Sequence, residues 1–233
     1  MIPLWDDIPR TRWPIITVLL IAANCLVFFQ ELAAPPAARE QMIAAFSLIP
    51  ARSTAFVSGH PVGFAGGILP LFTSMFLHGG WMHLIGNMWF LWLFGDNVED
   101  RVGHGRYLLL YLVGGLVGAL THWFFNLNST VPTVGASGAI AAVMGAYLIT
   151  FPRARIRTLV PLFIFLTWFD VPAFIILFYW LLLQLLSGVA SVAVADPMQG
   201  GVAFFAHVGG FLAGIPLMLL LRPRRRVRAV SSW

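Results

Sequence analysis

Lysine is absent from this chain, cysteine occurs once, and charged residues make up only 10% of its 233 positions. So few ionisable groups cannot cover the surface of a water-soluble globule of this size, with 59% of the residues hydrophobic. The lone Cys25 excludes an internal disulfide and a cysteine metal cluster, and it reads as packing within an apolar run. The formal charge of +5 comes from arginines set in short clusters between or after apolar runs. That pattern belongs to membrane orientation and speaks against nucleic acid as a partner. No separate soluble domain is expected, so residues 1–233 read as one membrane domain in a lipid bilayer.

A bilayer core takes about 20 mostly apolar residues per helical crossing. Stretches of that kind fall at about residues 13–32, 81–95, 107–125, 135–151, 172–188 and 203–221. The expected fold is all-α, a polytopic bundle of six transmembrane helices. A signal peptide cleaved near Ala33 and Ala34 is the lesser reading of the first run, whose apolar stretch is long for one. Residues 33–80 mix Pro35, Pro36, Pro61 and Pro70 with the apolar clusters Met42 to Ile49 and Ile68 to Phe76, and are expected to form a loop in the interface. Leu159 to Phe169, interrupted by Pro161, also reads as interfacial, and a small-residue loop with Asp196 and Pro197 precedes span six. Residues 222–233 form a basic tail.

Alternating six spans puts both termini on one side, together with twelve of the fourteen arginines. Only Arg39 and Arg52 fall on the other. The positive-inside rule therefore places both termini in the cytoplasm, with a bacterial plasma (inner) membrane as the expected location.

Polar groups inside spans are costly, so each invites a functional reading until a structural role is found. Four stand out: His83 and Asn87 on span two, Ser137 on span four and His207 on span six. All three spans enter from the outer face, and each residue lies near the start of its span, so the four share a depth. His83 and Asn87 are four apart and project from one helix face. Ser137 sits in Gly135-Ala136-Ser137-Gly138, where small neighbours leave the hydroxyl accessible. Gly210 and Gly214 form a packing face that would bring span six against Gly138 and Gly145 of span four, so that Ser137 and His207 meet.

Peptide hydrolysis needs a nucleophile, a base and donors aimed at an oxyanion. Ser137 is the expected nucleophile and His207 the general base, with Asn87, His83 and the Ser137 backbone N–H as oxyanion donors. No carboxylate stands at the right depth to orient His207, so a dyad is expected, with no metal and no cofactor. Each residue also has an ordinary reading: an isolated serine in such a stretch is more often a helix cap or an interhelical bond, and single histidines more often pack. The coincidence of depth across three helices outweighs those readings. His60, His78, His104 and His122 lack comparable partners and read as structural.

At these residues the chain resembles the rhomboid family of intramembrane serine proteases. The matching segments are His78-Gly-Gly-Trp-Met-His83-Leu-Ile-Gly-Asn87-Met, Gly135-Ala-Ser137-Gly-Ala, and Ala206-His207-Val-Gly-Gly210 with Gly214. Gly95-x-x-x-Glu99-x-x-x-Gly103 fits a further family pattern. The resemblance implies a six-helix core, a serine and histidine dyad in a water-filled cavity opening outward, and single-span membrane proteins as substrates. It also implies oxyanion roles for His83 and Asn87. Two features depart from some members: the first loop lacks a Trp-Arg pair, with Arg52 a candidate for a related part, and Ala141 stands where relatives stack a tyrosine on the histidine. The competing readings are an inactive rhomboid-like protein that binds membrane helices and, further off, a small transporter. The transporter would call for repeated halves and polar groups near the midplane, and no internal repeat is evident.

Overall fold

The computed structural model describes residues 2–162, 165–194 and 203–222. The chain opens with strand β1 (Ile2–Asp6) and helix α1 (Ile15–Ala33). Four short helices follow, α2 (Pro36–Phe46), α3 (Pro50–Val57), α4 (Phe64–Gly67) and α5 (Pro70–Thr73), then a 3-10 turn over Ser74–Phe76. Helices α6 (Trp81–Val102), α7 (His104–Phe125) and α8 (Ser137–Thr150) precede strands β2 (Arg155–Leu162) and β3 (Phe165–Pro172). Helices α9 (Ala173–Val194) and α10 (Phe204–Leu221) complete the described chain.

The molecule is mostly helical, and each of the six expected spans coincides with one of α1, α6, α7, α8, α9 and α10. By length and apolar composition, segments Ile15–Ala33, His104–Phe125, Ala173–Ala190 and Phe204–Leu221 are each fit to cross a membrane. Helix α6 joins them only together with Phe64–Phe76, from which it is bent by 76°. Helix α8 has 14 residues, about 21 Å at about 1.5 Å per residue, and is therefore shorter than a bilayer core.

Three expectations are corrected. Residues 33–80 hold a chain of short helices, three of which, α2, α3 and α5, begin with a proline, where its missing N–H costs nothing. The stretch read as interfacial, Leu159 to Phe169, belongs to a hairpin of β2 and β3, and β1 adds to it in the order β1-β2-β3, all antiparallel. Alternation in Arg155-Ile156-Arg157-Thr158 supplies the strand period, and Ile156 is fully buried between the two arginines. Helix α6 also runs past the charged turn expected from Asp96, because its charges have partners.

The partners are specific. Glu99 accepts the backbone N–H groups of Ile16 and Thr17, each at 2.8 Å, and the Thr17 hydroxyl at 2.7 Å. It thereby caps the exposed donors at the start of α1, which has no side-chain cap of its own. His104 Nδ1 lies 2.6 Å from the same carboxylate. Gly103, with φ of 86°, turns the chain between α6 and α7. Asp6 at the end of β1 accepts from Asn97 Nδ2 at 2.8 Å and from the Tyr147 hydroxyl, tying the sheet to α6 and α8. Burial pushes the Asp6 carboxyl above its ordinary range. Arg52 donates to the Ala44 carbonyl, a link between α3 and α2. Asp196, Pro197 and the arginines beyond Arg222 lie outside the described residues.

At the centre stands α8, buried without interruption from Gly138 to Leu148. A helix that is apolar all round belongs inside a bundle. Helix α10 packs on α8 and α7, while α6 covers another side of α8.

Candidate active site

Three helix starts converge on one cleft. Ser137 is the first residue of α8, His207 lies in the first turn of α10, and His83 and Asn87 lie in the first two turns of α6. The depth shared in the sequence pattern is therefore a shared place in the fold. Ser137 Oγ and His207 Nε2 are 2.7 Å apart, within normal hydrogen-bond distance.

What brings them together is backbone approach between α8 and α10. A Cβ on Gly210 would stand 2.0 Å from the Gly138 carbonyl oxygen, and one on Gly214 1.9 Å from that of Ala142. On α8, a Cβ on Gly145 would stand 2.0 Å from the Phe211 carbonyl oxygen. Only glycine allows this separation at all three places. Helix α7 joins through Gly118, whose added Cβ would meet the Ala206 carbonyl oxygen at 2.7 Å.

The segment leading into α8 is shaped to receive α6. Gly135 has φ of 123°, a conformation that side-chain-bearing residues rarely adopt. A Cβ there would lie 2.6 Å from His83 Nε2 and 3.6 Å from Asn87 Nδ2, so both nitrogens reach the backbone just before Ser137. His83 Nδ1 accepts from the Gly79 N–H at 3.4 Å, which leaves the ring proton on Nε2, the nitrogen facing Gly135. Asn87 Nδ2 is buried and has no hydrogen-bond acceptor among the described residues. A buried amide without a partner is costly, and its place beside Ser137 suits a charge that appears only during a reaction. Ser137 N–H, at a helix start, adds a third donor with no intrahelical partner.

These groups line a half-open cleft of about 630 Å³. Its polar lining includes His83, Asn87, Thr133, Ser137 and His207, and its apolar lining includes Phe90, Ile140, Met144 and Trp180. Apolar walls with a few convergent polar groups are the usual make-up of a ligand cleft. Among the described residues no group of three His, Cys, Asp or Glu side chains could hold a metal ion.

The structure also gathers residues that the sequence pattern set aside. His78 is buried beside His83, with ring centroids 5.1 Å apart and planes at 64°. Neither ring nitrogen of His78 has a hydrogen-bond partner among the described residues. His122 Nε2 lies 3.0 Å from Thr133 Oγ1, which places it behind the cleft wall. Helix α9 contributes the rest: the Trp180 ring lies 5.5 Å from the His207 ring, and Gln184 Oε1 lies 2.7 Å from His207 Nδ1. Neither residue was expected at the site. Gln184 could have been found by the test applied to the other four, since it is a polar residue deep inside an apolar span. The Trp180 ring is also stacked near Phe211, at 6.1 Å.

Comparison with known proteins identifies the family. The family model described as Rhomboid domain matches residues 65–224. The chain is 32% identical over 171 residues to RHOMBOID-like protein 6, mitochondrial, of Arabidopsis thaliana, covering 70% of this chain and 45% of that protein. It is 34% identical over 135 residues to Rhomboid protease GluP of Bacillus subtilis, covering 58% of this chain and 24% of that protein. Against Rhomboid protein 1, mitochondrial, of Saccharomyces cerevisiae it is 29% identical over 171 residues, covering 69% and 45%. The chain thus spans less than half the length of these curated relatives.

Proposed function

Because the chain belongs to the rhomboid family, a family of multi-pass membrane proteins that includes a bacterial protease, we propose that it is an intramembrane serine endopeptidase. The observation that carries this reading is the 2.7 Å approach of Ser137 Oγ to His207 Nε2 in the wall of an open cleft. In the proposed reaction His207 Nε2 takes the Ser137 proton as Oγ attacks the scissile carbonyl. The oxyanion that forms is met by His83 Nε2–H, Asn87 Nδ2 and the Ser137 N–H. His207 then gives its proton to the leaving amine, and a water activated by the same nitrogen releases the acyl group from Ser137.

The proposed substrates are single-span membrane proteins, because the cleft sits among helices with apolar outer faces. The proposed orientation puts the arginine-rich side, with both termini, in the cytoplasm of a bacterial cell. Relatives named as mitochondrial make the membrane itself a matter for localisation of the tagged chain in its own cell.

The test combines labelling by a fluorophosphonate with cleavage of a model single-span substrate in liposomes. Wild-type protein should label and cut, while Ser137→Ala and His207→Ala should insert and fold yet lose turnover by at least about 10⁴-fold. Labelling that persists in Ser137→Ala would remove the nucleophile. A well-folded wild type that neither labels nor cuts any such substrate would favour a binding protein without activity.

A further inference from the structure

A serine and histidine pair works only if the imidazole presents a lone pair, not a proton, to the hydroxyl. The neutral ring carries one proton, and its location is set by what the second nitrogen touches. In this chain that partner is an amide from a helix outside the α8 and α10 interface. Gln184 Oε1 lies 2.7 Å from His207 Nδ1, and an amide oxygen can only accept. The proton is therefore held on Nδ1, and Nε2, 2.7 Å from Ser137 Oγ, is left as the acceptor.

A second contact comes from the same face of α9. Trp180 is four residues before Gln184, one turn away, and its ring leans on the His207 ring at 5.5 Å with an interplanar angle of 38°. One contact fixes the rotation of the imidazole in its plane and the other limits its tilt. The ring is 6% exposed, so water has little access to compete for Nδ1. Among the described residues no carboxylate takes this place: Asp170 pairs with Arg157 on the sheet, and Glu99 serves the start of α1.

We propose that Gln184 is a positioning residue that holds His207 in the tautomer able to accept the Ser137 proton, making the unit a serine, histidine and glutamine relay in place of a dyad. When Nε2 takes the proton from Ser137 Oγ, the ring becomes an imidazolium whose Nδ1–H still donates to Oε1. The charge is thus met by a dipole. A carboxylate in the same place would stabilise the imidazolium more than the neutral amide does. The titratable groups facing His207 from other elements are His83 on α6 and His122 on α7, and both are retained in every variant below. This inference rests on the protease reading for its kinetic consequence, though not for its geometry.

The experiment uses the full chain in detergent micelles with ¹⁵N-labelled imidazoles, the His207 resonances being identified by their loss in His207→Asn. Wild type should show neutral His207 with its proton on Nδ1. Gln184→Met, which fills the space without an acceptor, should mix the two tautomers and lower kcat by about 10- to 100-fold with KM within about twofold. Gln184→Glu should keep the proton on Nδ1, retain turnover and move the acid limb of the kcat/KM profile upward by about one pH unit. Should Gln184→Met fold poorly, the near-isosteric Glu variant carries the test through that limb. The proposal is overturned if wild-type His207 carries its proton on Nε2, as it would with the amide turned to donate, or if Gln184→Met keeps both tautomer and kcat. A wild type that never cuts, but whose tautomer responds to Gln184→Met, would sink the protease reading and leave the positioning role standing.

Discussion

Helices α8 and α9 both touch the site, yet they are held in opposite ways. Helix α8 is buried from Gly138 to Leu148 and meets α10 backbone to backbone through glycines on both sides. Helix α9 buries Ala173, Ile176 and Leu177 at one end, while Phe178, Leu182, Leu185, Leu186 and Val189 face outward along the rest. The serine and the histidine are thus fixed by contacts that leave no room for adjustment. The groups set against the histidine, Trp180 and Gln184, ride on a helix most of whose other side chains face outward. On the proposed mechanism the reacting atoms are placed by packing, and their protonation pattern by a neighbour with fewer buried contacts.

The largest effect should come from invading the tight interface. Gly214→Val places branched carbons where a single Cβ would already sit 1.9 Å from the Ala142 carbonyl oxygen. Overpacking costs about 1–3 kcal/mol where side chains can shift, and here the obstacle is backbone. The expected outcome is a loss of at least about 3 kcal/mol in detergent unfolding, with no cleavage. A variant that unfolds like wild type would show that α8 and α10 are not held as closely as the glycines imply.

Next in size is Asn87→Ala, which leaves that interface alone. Removing one oxyanion donor costs about 10²- to 10³-fold in kcat, and KM should stay near wild type. His83 Nε2–H and the Ser137 N–H remain, so the loss should be smaller than in Ser137→Ala. Equal losses in the two variants would mean that Asn87 holds the fold of the cleft instead of serving the reaction. An unfolding measurement on Asn87→Ala separates those cases, because Nδ2 has no partner among the described residues to lose.

Much of the tight region was legible in the sequence. Glycine spacing on α10 pointed to a close helix pair, and polar residues at equal depth on α6, α8 and α10 named the cleft. Both inferences need only the helical period and the cost of polar groups in lipid. The looser parts were less readable. Residues 155–172 carry strand alternation, but their aromatics and prolines suggested an interfacial stretch, and pairing with residues 2–6 is a contact between distant segments. The run of charges from Asp96 read as a turn because the partner of Glu99, the start of α1, lies some eighty residues away. Gln184 is less readable for a related reason: carboxylates are the usual partners of a catalytic imidazole, whereas the proposed amide partner adds no second charge to desolvate.

The smallest effects should mark the outward side of α9, and they test the contrast most directly. Leu182 is 52% exposed and Trp180 packs on His207, two residues away on the other face of the same helix. Leu182→Ala should change unfolding by no more than about 0.5 kcal/mol, since lipid or detergent replaces its few contacts. Cleavage should stay within about twofold, a change of under 0.5 kcal/mol in the barrier. Trp180→Ala should likewise unfold near wild type, yet lose about tenfold in kcat as the His207 ring gains freedom to tilt. If both variants lost activity alike, α9 would act as a whole by its seating in the bundle. If neither did, the base would be held by α8 and α10 alone, and the division between packing and steering would fail at the residue where it is sharpest.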